Sequence, residues 1–225
     1  MKRSLFLVVT LLLTACGRVL APLDEEPLEP SSPSDSATTS GDDGGALAKS
    51  DAVATPDNAA PGTLVSSSIA SFSAVQGQGG WFYGYTQGAG PFSLLEAEHP
   101  TRWSLPTNMA YAPWLDLTAE GGSPDLNGSS EFAAIRRWVS DQDGELRVVL
   151  RFFKTETSCG NGVVAEVALG GVTHWSKWIA YDDAVGVSEE TRFAVRVGDP
   201  VDFRLRVHEG NGSCDHAHFS AEIWR

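Results

Sequence analysis

After residue 130, apolar and polar residues alternate over much of the chain, so that every second side chain is hydrophobic. In Val201–His208 the apolar side chains share one face and the polar ones share the other, and Arg192–Val197 and Glu145–Phe152 repeat this arrangement. A period of two is typical of a β-strand with one buried face. The same reasoning predicts strands at 132–139, 162–170, 172–180 and 217–224.

Turn residues separate these segments, since glycine, asparagine and aspartate lie between them. Half-buried strands joined by such turns are typical of antiparallel sandwiches and barrels. The only segment with a helix-like pattern, Pro91–Glu98, is short. We therefore predict an all-β fold, an antiparallel β-sandwich over residues 66–225, which is long enough for one domain with a sizeable core.

The chain before this domain has a different composition. Residues 17 to about 64 are rich in proline, serine, threonine and alanine, contain no aromatic residue, and carry nine acidic against two basic residues. Such a segment buries too little apolar surface to offset the entropy of ordering its chain. We predict that residues 16–65 form a disordered acidic linker.

Residues 1–15 have the layout of a secretory signal peptide, with Lys2 and Arg3 before an apolar stretch that is too short to span a bilayer. The sequence Leu-Thr-Ala-Cys at 13–16 resembles the lipobox of bacterial lipoproteins. This resemblance implies that Cys16 is acylated and anchors the mature protein in a membrane; the alternative is an ordinary cleaved signal. Gly17 then favours the outer membrane, with the domain facing the periplasm or the cell surface.

The other two cysteines, Cys159 and Cys214, lie in mirrored segments that read Ser-Cys-Gly-Asn-Gly and Gly-Asn-Gly-Ser-Cys. An even pair in an exported protein is most simply a disulfide, and Gly-Asn-Gly is typical of turns. We predict a disulfide that joins two loops at one end of the domain. Thiolates of a metal site or a redox pair are the alternatives, but no Cys-x-x-Cys motif accompanies them.

Four segments of the domain occur in an order that resembles a known family. They read FSAVQGQGGWFYGY at 72–85, AIRRWVS at 134–140, VRVGDPVDFRLRV at 195–207 and DHAHFSAEI at 215–223. The series resembles the jelly-roll, carbohydrate-binding-module-like β-sandwiches that are attached to bacterial exported proteins and glycoside hydrolases. The resemblance implies a jelly-roll fold, and fold alone does not fix function.

Two groups of aromatic residues are candidates for a binding platform. Trp81, Tyr83 and Tyr85 share one side of a segment near the start of the domain, and we interpret them as core residues behind a glycine-rich opening turn. Loops carry function more often than strands do. The proline-rich loop from Thr101 to Asn127 therefore supplies the predicted ligand-binding residues, which are Trp103, Tyr111 and, as the preferred candidate, Trp114.

The carboxy-terminal segment contains a pattern similar to the first motif of cupins. On a strand, His216, His218 and Glu222 would share one face, as the ligands of a divalent metal should. The second cupin motif is missing, so this metal site is a subordinate hypothesis. A structural calcium ion at 125–131 or 141–144 is another, although neither segment completes a calcium loop and aspartates also cap plain turns.

Charge excludes one class of partner. The domain carries 12 basic and 20 acidic residues, a net charge of −8, which argues against nucleic acid. Six arginines lie at outward strand positions, where ion pairing with Asp202, Glu166 or Glu145 is the simpler reading and a groove for an anionic glycan is the alternative. No catalytic motif occurs, so an enzyme is the less favoured interpretation.

These observations predict a lipid-anchored envelope protein whose sandwich binds extracellular polysaccharide through exposed aromatic residues. The second hypothesis is a structural or assembly lipoprotein that binds another envelope protein through a sheet face or edge. The third is a metal-dependent enzyme built on His216, His218 and Glu222. No organic cofactor is expected.

Overall fold

The computed structural model of this chain describes residues 62–105 and 114–225, where fifteen strands and one short 3-10 turn make up the regular structure. The predicted signal peptide, the lipid on Cys16, nearly all of the acidic linker and Tyr111 lie outside the described residues. Within the described part of the chain, no helix is long and apolar enough to cross a bilayer.

The described strands form two antiparallel sheets and are numbered in chain order across both. The first sheet contains β1 (Leu64–Ser67), β4 (Glu96–His99), β5 (Arg102–Ser104), β6 (Asp116–Thr118), β7 (Gly121–Ser123), β10 (Gly144–Lys154), β13 (Val187–Val195) and β15 (Ala217–Trp224). Its order is β13-β10-β15-β7-β6-β5-β4, and β1 pairs with β15 outside this path.

The second sheet contains β2 (Trp81–Gln87), β3 (Ser93–Leu94), β8 (Asp125–Asn127), β9 (Ser130–Val139), β11 (Val163–Leu169), β12 (Val172–Ile179) and β14 (Pro200–Val207). Its order is β12-β11-β14-β9-β2-β3, with β8 paired to β9 outside this path. From β9 onward the chain changes sheet at every connection except β11–β12, which is the alternation of a jelly roll. The predicted antiparallel β-sandwich is confirmed, and so are the seven strands predicted after residue 130.

The apolar faces of the two sheets meet in one core. The alternating residues of β14 and β10 that were predicted to face inward are buried, from Val201 and Leu146 onward. Trp81 and Tyr83 are fully buried there as well, which confirms that this aromatic segment belongs to the core. Before them, the 3-10 turn Gln78–Gly80 is flanked by a left-handed Gly77 at φ 82°, so the glycines form the predicted opening turn.

The structure resolves one ambiguous segment and corrects one expectation from the sequence. The segment Pro91–Glu98 contains no helix and instead holds β3 and the start of β4. The loop expected from Thr101 to Asn127 is partly regular, because β5 to β8 lie within it and extend the sheets toward one edge. These strands have only three residues each, so a period of two has no length over which to appear.

One charged side chain lies between the sheets. Arg136 on β9 is fully buried, and its guanidinium donates hydrogen bonds to the carbonyls of Thr118 (2.6 Å) and Gly121 (3.0 Å) and to the hydroxyl of Ser68 (3.2 Å). It also lies 4.2 Å above the ring of Phe219. Complete burial lowers the pKa of Arg136 to about 10. This residue therefore fixes the second sheet to the β6–β7 turn of the first.

Most of the outward arginines are ion-paired, as the simpler reading predicted. Arg204 contacts Asp202 at 2.9 Å and Arg206 contacts Glu166 at 3.0 Å, with Glu131 as a second partner of Arg206. On the other sheet the pairs are Arg192 with Glu145 and Arg147 with Glu190. Most of the positive charge on the outer sheet faces is therefore neutralised by neighbouring carboxylates, which argues against a basic groove there.

Candidate functional site

A polar cleft of about 590 Å³ opens at one end of the domain. On one side it is lined by residues of the β5–β8 region, and on the other by two loops that the disulfide joins. The side chains that define it are Trp114, Asp116, Asp125, Glu156, Asn211 and Asp215. We call it the Trp114 cleft.

The disulfide between Cys159 and Cys214 holds the loop wall of the cleft together, with 5.7 Å between the two Cα atoms. It joins the loop between β10 and β11 to the loop between β14 and β15, as the sequence predicted. Gly162 has φ 97°, and a Cβ there would lie 2.1 Å from the carbonyl oxygen of Ile179, so only glycine fits. Cys214 itself adopts φ 58°, which places it in the left-handed region.

The same wall is supported from behind by Trp178. Its indole Nε1 donates a hydrogen bond to the carbonyl of Asn161 at 3.1 Å, and its ring stacks on His208 at 5.1 Å. The Asn161 amide in turn donates to the carbonyl of His208 at 2.8 Å. These contacts link both loops near the disulfide, so the wall is fixed by noncovalent bonds as well as by sulfur.

Trp114 stands at the rim of the cleft with 71% of its surface exposed. Its backbone N–H donates a 3.0 Å hydrogen bond to Oδ2 of Asp125, and Oδ1 of the same carboxylate accepts the N–H of Leu126 at 2.7 Å. Asp125 is buried and therefore acts as a fixed point for the backbone on which Trp114 sits. The indole face itself remains open to a ligand.

Arg102 and Asp116 form an ion pair on the floor of the cleft, with Nε and Oδ2 3.1 Å apart. Arg102 also reaches Glu98 at 3.4 Å. Burial raises the pKa of Asp116, and the neighbouring guanidinium opposes that shift. Both charges are engaged with each other, so this pair orders the floor and adds little net charge.

Asp215 has an unusual environment. It is 1% exposed, and neither of its carboxylate oxygens has a hydrogen-bond partner among the described residues. Burial raises the pKa of Asp215 to about 7, while the nearby Lys154 opposes the rise and Asp125 adds to it. Lys154 is itself buried and gives its ammonium hydrogen bond to the carbonyl of Cys214.

The three predicted ligand-binding aromatics have different positions. Trp103 lies in the core at 3% exposure, where it stacks on Tyr83 at 5.1 Å and donates its Nε1 hydrogen bond to the carbonyl of Ser73. Tyr111 is outside the described residues. Only Trp114 is placed in a cleft with an open face, and it was the preferred candidate.

The predicted metal ligands do not come together. His216 lines the Trp114 cleft, where its Nδ1 lies 2.7 Å from the hydroxyl of Thr155. His218 is on the outer face of the first sheet and stacks on Phe153 at 4.4 Å, and Glu222 is exposed on that same strand. In residues 62–105 and 114–225, the only three metal-ligating groups within 4.8 Å of one another are Glu156 and the two disulfide cysteines.

The aspartates of the predicted calcium segments form hydrogen bonds and an ion pair within the protein. Asp125 caps Trp114 and Leu126, as described above. Oδ1 of Asp143 accepts the N–H of Val197 at 2.7 Å, and Asp141 pairs with Arg225 at 3.3 Å. Each of these three carboxylates is therefore engaged within the protein, and the structural calcium ion stays a prediction.

Sequence reasoning missed Asp116, Glu156, Asn211 and Asp215 as members of the site. Asn211 and Asp215 lie beside Cys214, so the predicted disulfide could have drawn attention to that loop. Asp116 gave no signal, because its position in the cleft depends on the pairing of β5, β6 and β7.

No protein-family model matches this sequence, and no curated protein matches it. The solved structures to which this chain is similar include a family 35 carbohydrate binding module from Clostridium thermocellum, at 9% identity and a TM-score of 0.28 over 44% of this chain and 82% of the module. They also include a β-glucosidase from Kluyveromyces marxianus in complex with glucose, at 10% identity and a TM-score of 0.34 over 72% of this chain and 19% of the enzyme.

A third similar structure is dimeric latent PorU from Porphyromonas gingivalis, at 11% identity and a TM-score of 0.30 over 41% of this chain and 10% of PorU. This chain thus corresponds to a small part of PorU and of the β-glucosidase. Identities and TM-scores at this level assign no ligand and no activity, so the function has to follow from the cleft itself.

Proposed function

We propose that this chain is a lipid-anchored envelope protein whose β-sandwich binds extracellular carbohydrate without catalysing a reaction. The observation that carries the proposal is Trp114, an indole that is 71% exposed at the rim of a polar cleft. A sugar ring has an apolar face and a hydrophilic edge. A flat aromatic side chain beside hydrogen-bonding groups matches both.

The cleft has the size and the chemistry for one or two sugar units. Its volume of about 590 Å³ lies within the range of ordinary ligand pockets. The carboxylate of Glu156 and the amide of Asn211 offer acceptors and donors for hydroxyl groups on the ring edge. The wall that holds Asn211 is fixed by the disulfide, so little ordering has to accompany binding.

The predicted lipid anchor and acidic linker would present this cleft away from a membrane. A flexible linker of this length reaches on the order of 40 Å. Its acidic charge extends it further, since like charges repel. Such a tether suits a module that captures polymer outside the membrane rather than one that acts at the lipid surface.

The test is binding of the purified domain to a panel of soluble polysaccharides, measured by affinity electrophoresis and then by calorimetry. Trp114→Ala removes the stacking surface, and we expect it to weaken binding by about 2 kcal/mol, or roughly 30-fold in Kd. Tyr181→Ala is the matched control, because Tyr181 is also an exposed aromatic residue and does not line the cleft.

Two results would contradict the proposal. One is that no glycan in the panel is retained by the wild-type domain. The other is retention that Trp114→Ala leaves unchanged, which would place the binding surface elsewhere on the sandwich.

A second candidate is protein binding through a sheet edge, and β12 is the observation that favours it. This strand ends the second sheet, and Val172 and Trp178 on it are 65% and 51% exposed. An edge strand offers free backbone groups to a partner strand. A photo-crosslinker at Thr173, compared with one at Ser188 on β13, would separate this candidate from glycan binding by yielding one defined envelope protein only from Thr173.

A further inference from the structure

The Trp114 cleft is acidic, and most of its acidity is not neutralised within the protein. Among the described residues, the carboxylates of Asp125, Glu156 and Asp215 form no ion pair. Arg102 is the only lysine or arginine among the described lining residues, and Asp116 and Glu98 already hold its guanidinium. A ligand that enters the cleft therefore meets negative charge from Asp125 and Glu156 that no ion pair of the described residues balances, and Asp215 adds to it when it is ionised.

Asp215 is an independent sign that something other than protein completes this site. A buried carboxylate without hydrogen-bond partners is costly, and native proteins rarely leave one unsatisfied. The buried Lys154 attracts both Asp215 and Glu156, but its ammonium group donates a hydrogen bond to the carbonyl of Cys214 and forms no ion pair with either carboxylate. The pKa of Asp215, about 7, is consistent with a group that becomes fully ionised once a cation lies beside it.

Ion pairing differs between the cleft and the sheet faces. Several carboxylates on the outer faces are paired with arginines, as in Arg204–Asp202 and Arg147–Glu190, whereas three of the carboxylates that line the cleft have no such partner in the part of the chain that the structure describes.

Trp114 adds a second source of affinity for positive charge. The face of an indole attracts ammonium groups through its quadrupole, more strongly than the rings of tyrosine and phenylalanine do. An exposed indole beside unpaired carboxylates is the combination that binds an organic cation. The same indole stacks on a sugar ring, so one ligand can satisfy both features if its sugar carries an amine.

We propose that the Trp114 cleft selects glycans that carry free amino groups, with the protonated amine beside the exposed Glu156, near the buried carboxylates of Asp125 and Asp215, and the sugar ring on Trp114. This proposal rests on the carbohydrate-binding function proposed above and specifies the ligand of the same cleft. Uronic acids and phosphorylated glycans are disfavoured there, because their charges have the same sign as the cleft.

The test compares three oligosaccharides of equal length by calorimetry with the whole domain. The first is a β-linked glucosamine oligomer, the second is its N-acetylated counterpart, in which a neutral acetamide replaces each ammonium group, and the third is a uronic acid oligomer. Measurements are made at about pH 6, below the ordinary pKa of such amines. We expect the amino form to bind at least about tenfold more tightly than the N-acetylated form, and the uronate form to bind most weakly.

Variants then assign the charge preference to the cleft. Glu156→Gln and Asp215→Asn remove one carboxylate each, and each should reduce the preference for the amino form about threefold or more while leaving binding of the N-acetylated form nearly unchanged. Glu189→Gln, which removes an exposed carboxylate on β13 outside the cleft, should change neither. Added salt offers a readout that needs no variant, since screening should weaken the amino form selectively.

Each outcome has a distinct meaning. Equal binding of the amino and N-acetylated forms, both dependent on Trp114, would overturn the charge selectivity and leave the carbohydrate-binding function intact. Failure of every oligosaccharide would overturn both proposals. Selectivity for amino sugars would be overturned if pentalysine bound as tightly as the glucosamine oligomer. That result would show that the cleft binds cationic peptides as well as cationic sugars.

Discussion

The disulfide allows the sharpest prediction about stability. It closes a loop of 55 residues between Cys159 and Cys214. A cross-link of that length removes about 14 cal/mol/K of entropy from the unfolded chain, which corresponds to about 4 kcal/mol at 25 °C. Both cysteines are only half-buried, so replacing them with serine adds little loss of core packing.

The double variant Cys159→Ser with Cys214→Ser should therefore lose about 4 kcal/mol in the free energy of unfolding. The unit that contains the domain, Ala54–Arg225, is of a size for which 1 kcal/mol corresponds to roughly 2–4 °C, so we expect the Tm to fall by about 12 °C. Urea titration followed by tryptophan fluorescence measures the free energy directly. The dependence on urea should also steepen, because an open unfolded chain exposes more surface.

Reduced wild-type protein is the control, since it loses the cross-link without any change of side chain at the cleft. It should unfold at the same urea concentration as the double variant. A loss of less than about 1 kcal/mol in both samples would refute the reasoning. It would mean that residual structure in the unfolded chain already keeps the two loops close together.

Three other predictions concern single side chains. The pKa of Asp215 is raised to about 7 in the folded protein, above its unfolded value of about 4. Its contribution to the stability of the fold is therefore fully present below about pH 4 and is lost as the pH rises through 7. Asn does not titrate, so the free energy of unfolding of Asp215→Asn should rise relative to that of the wild type between about pH 4 and about pH 7. Measurement of both proteins at several pH values tests this, and a difference that does not change with pH would contradict it. Gly84→Ala should cost at least about 2 kcal/mol in chemical denaturation, because its Cβ would lie 2.3 Å from the Ser93 carbonyl oxygen and 2.4 Å from the Phe92 ring. Unchanged stability there would mean that β3 does not sit against β2. Arg136→Met should destabilise the domain by about 2 kcal/mol, since it leaves the carbonyls of Thr118 and Gly121 without donors. A more stable variant would show that the cost of burying the guanidinium outweighs its hydrogen bonds.

The long strands could be predicted because each has one buried face. In β10, β14 and β15 the alternation continues over eight residues or more, which is enough to distinguish it from chance. Arg136 follows the same alternation, since it shares an inward face with Phe132 and Trp138. A charged side chain is not expected in a buried position. Arg136 is stabilised there by hydrogen bonds to the carbonyl groups of the β6–β7 turn, which is distant in the sequence.

The site was predictable only in part. The disulfide could be predicted from its mirrored turn segments, and Trp114 from its place in a loop. Trp103 comes from the same stretch of sequence and yet is buried, because its ring stacks on Tyr83 and its Nε1 donates a hydrogen bond to the Ser73 carbonyl. Asp116 and Asp215 meet in the cleft through strand pairing and loop closure, neither of which has a local signal in the sequence.

Arg136 has a consequence for how the domain assembles. Its partners come from two separate parts of the chain, Ser68 and the β6–β7 turn with Thr118 and Gly121, while Arg136 itself lies on β9. A half-formed sandwich would bury the guanidinium before all of its hydrogen-bond acceptors are in place. A buried charge without acceptors is unfavourable, so that state would be high in free energy. The two sheets are therefore expected to join in a single all-or-none step, with substitutions at this residue changing the unfolding rate far more than the folding rate.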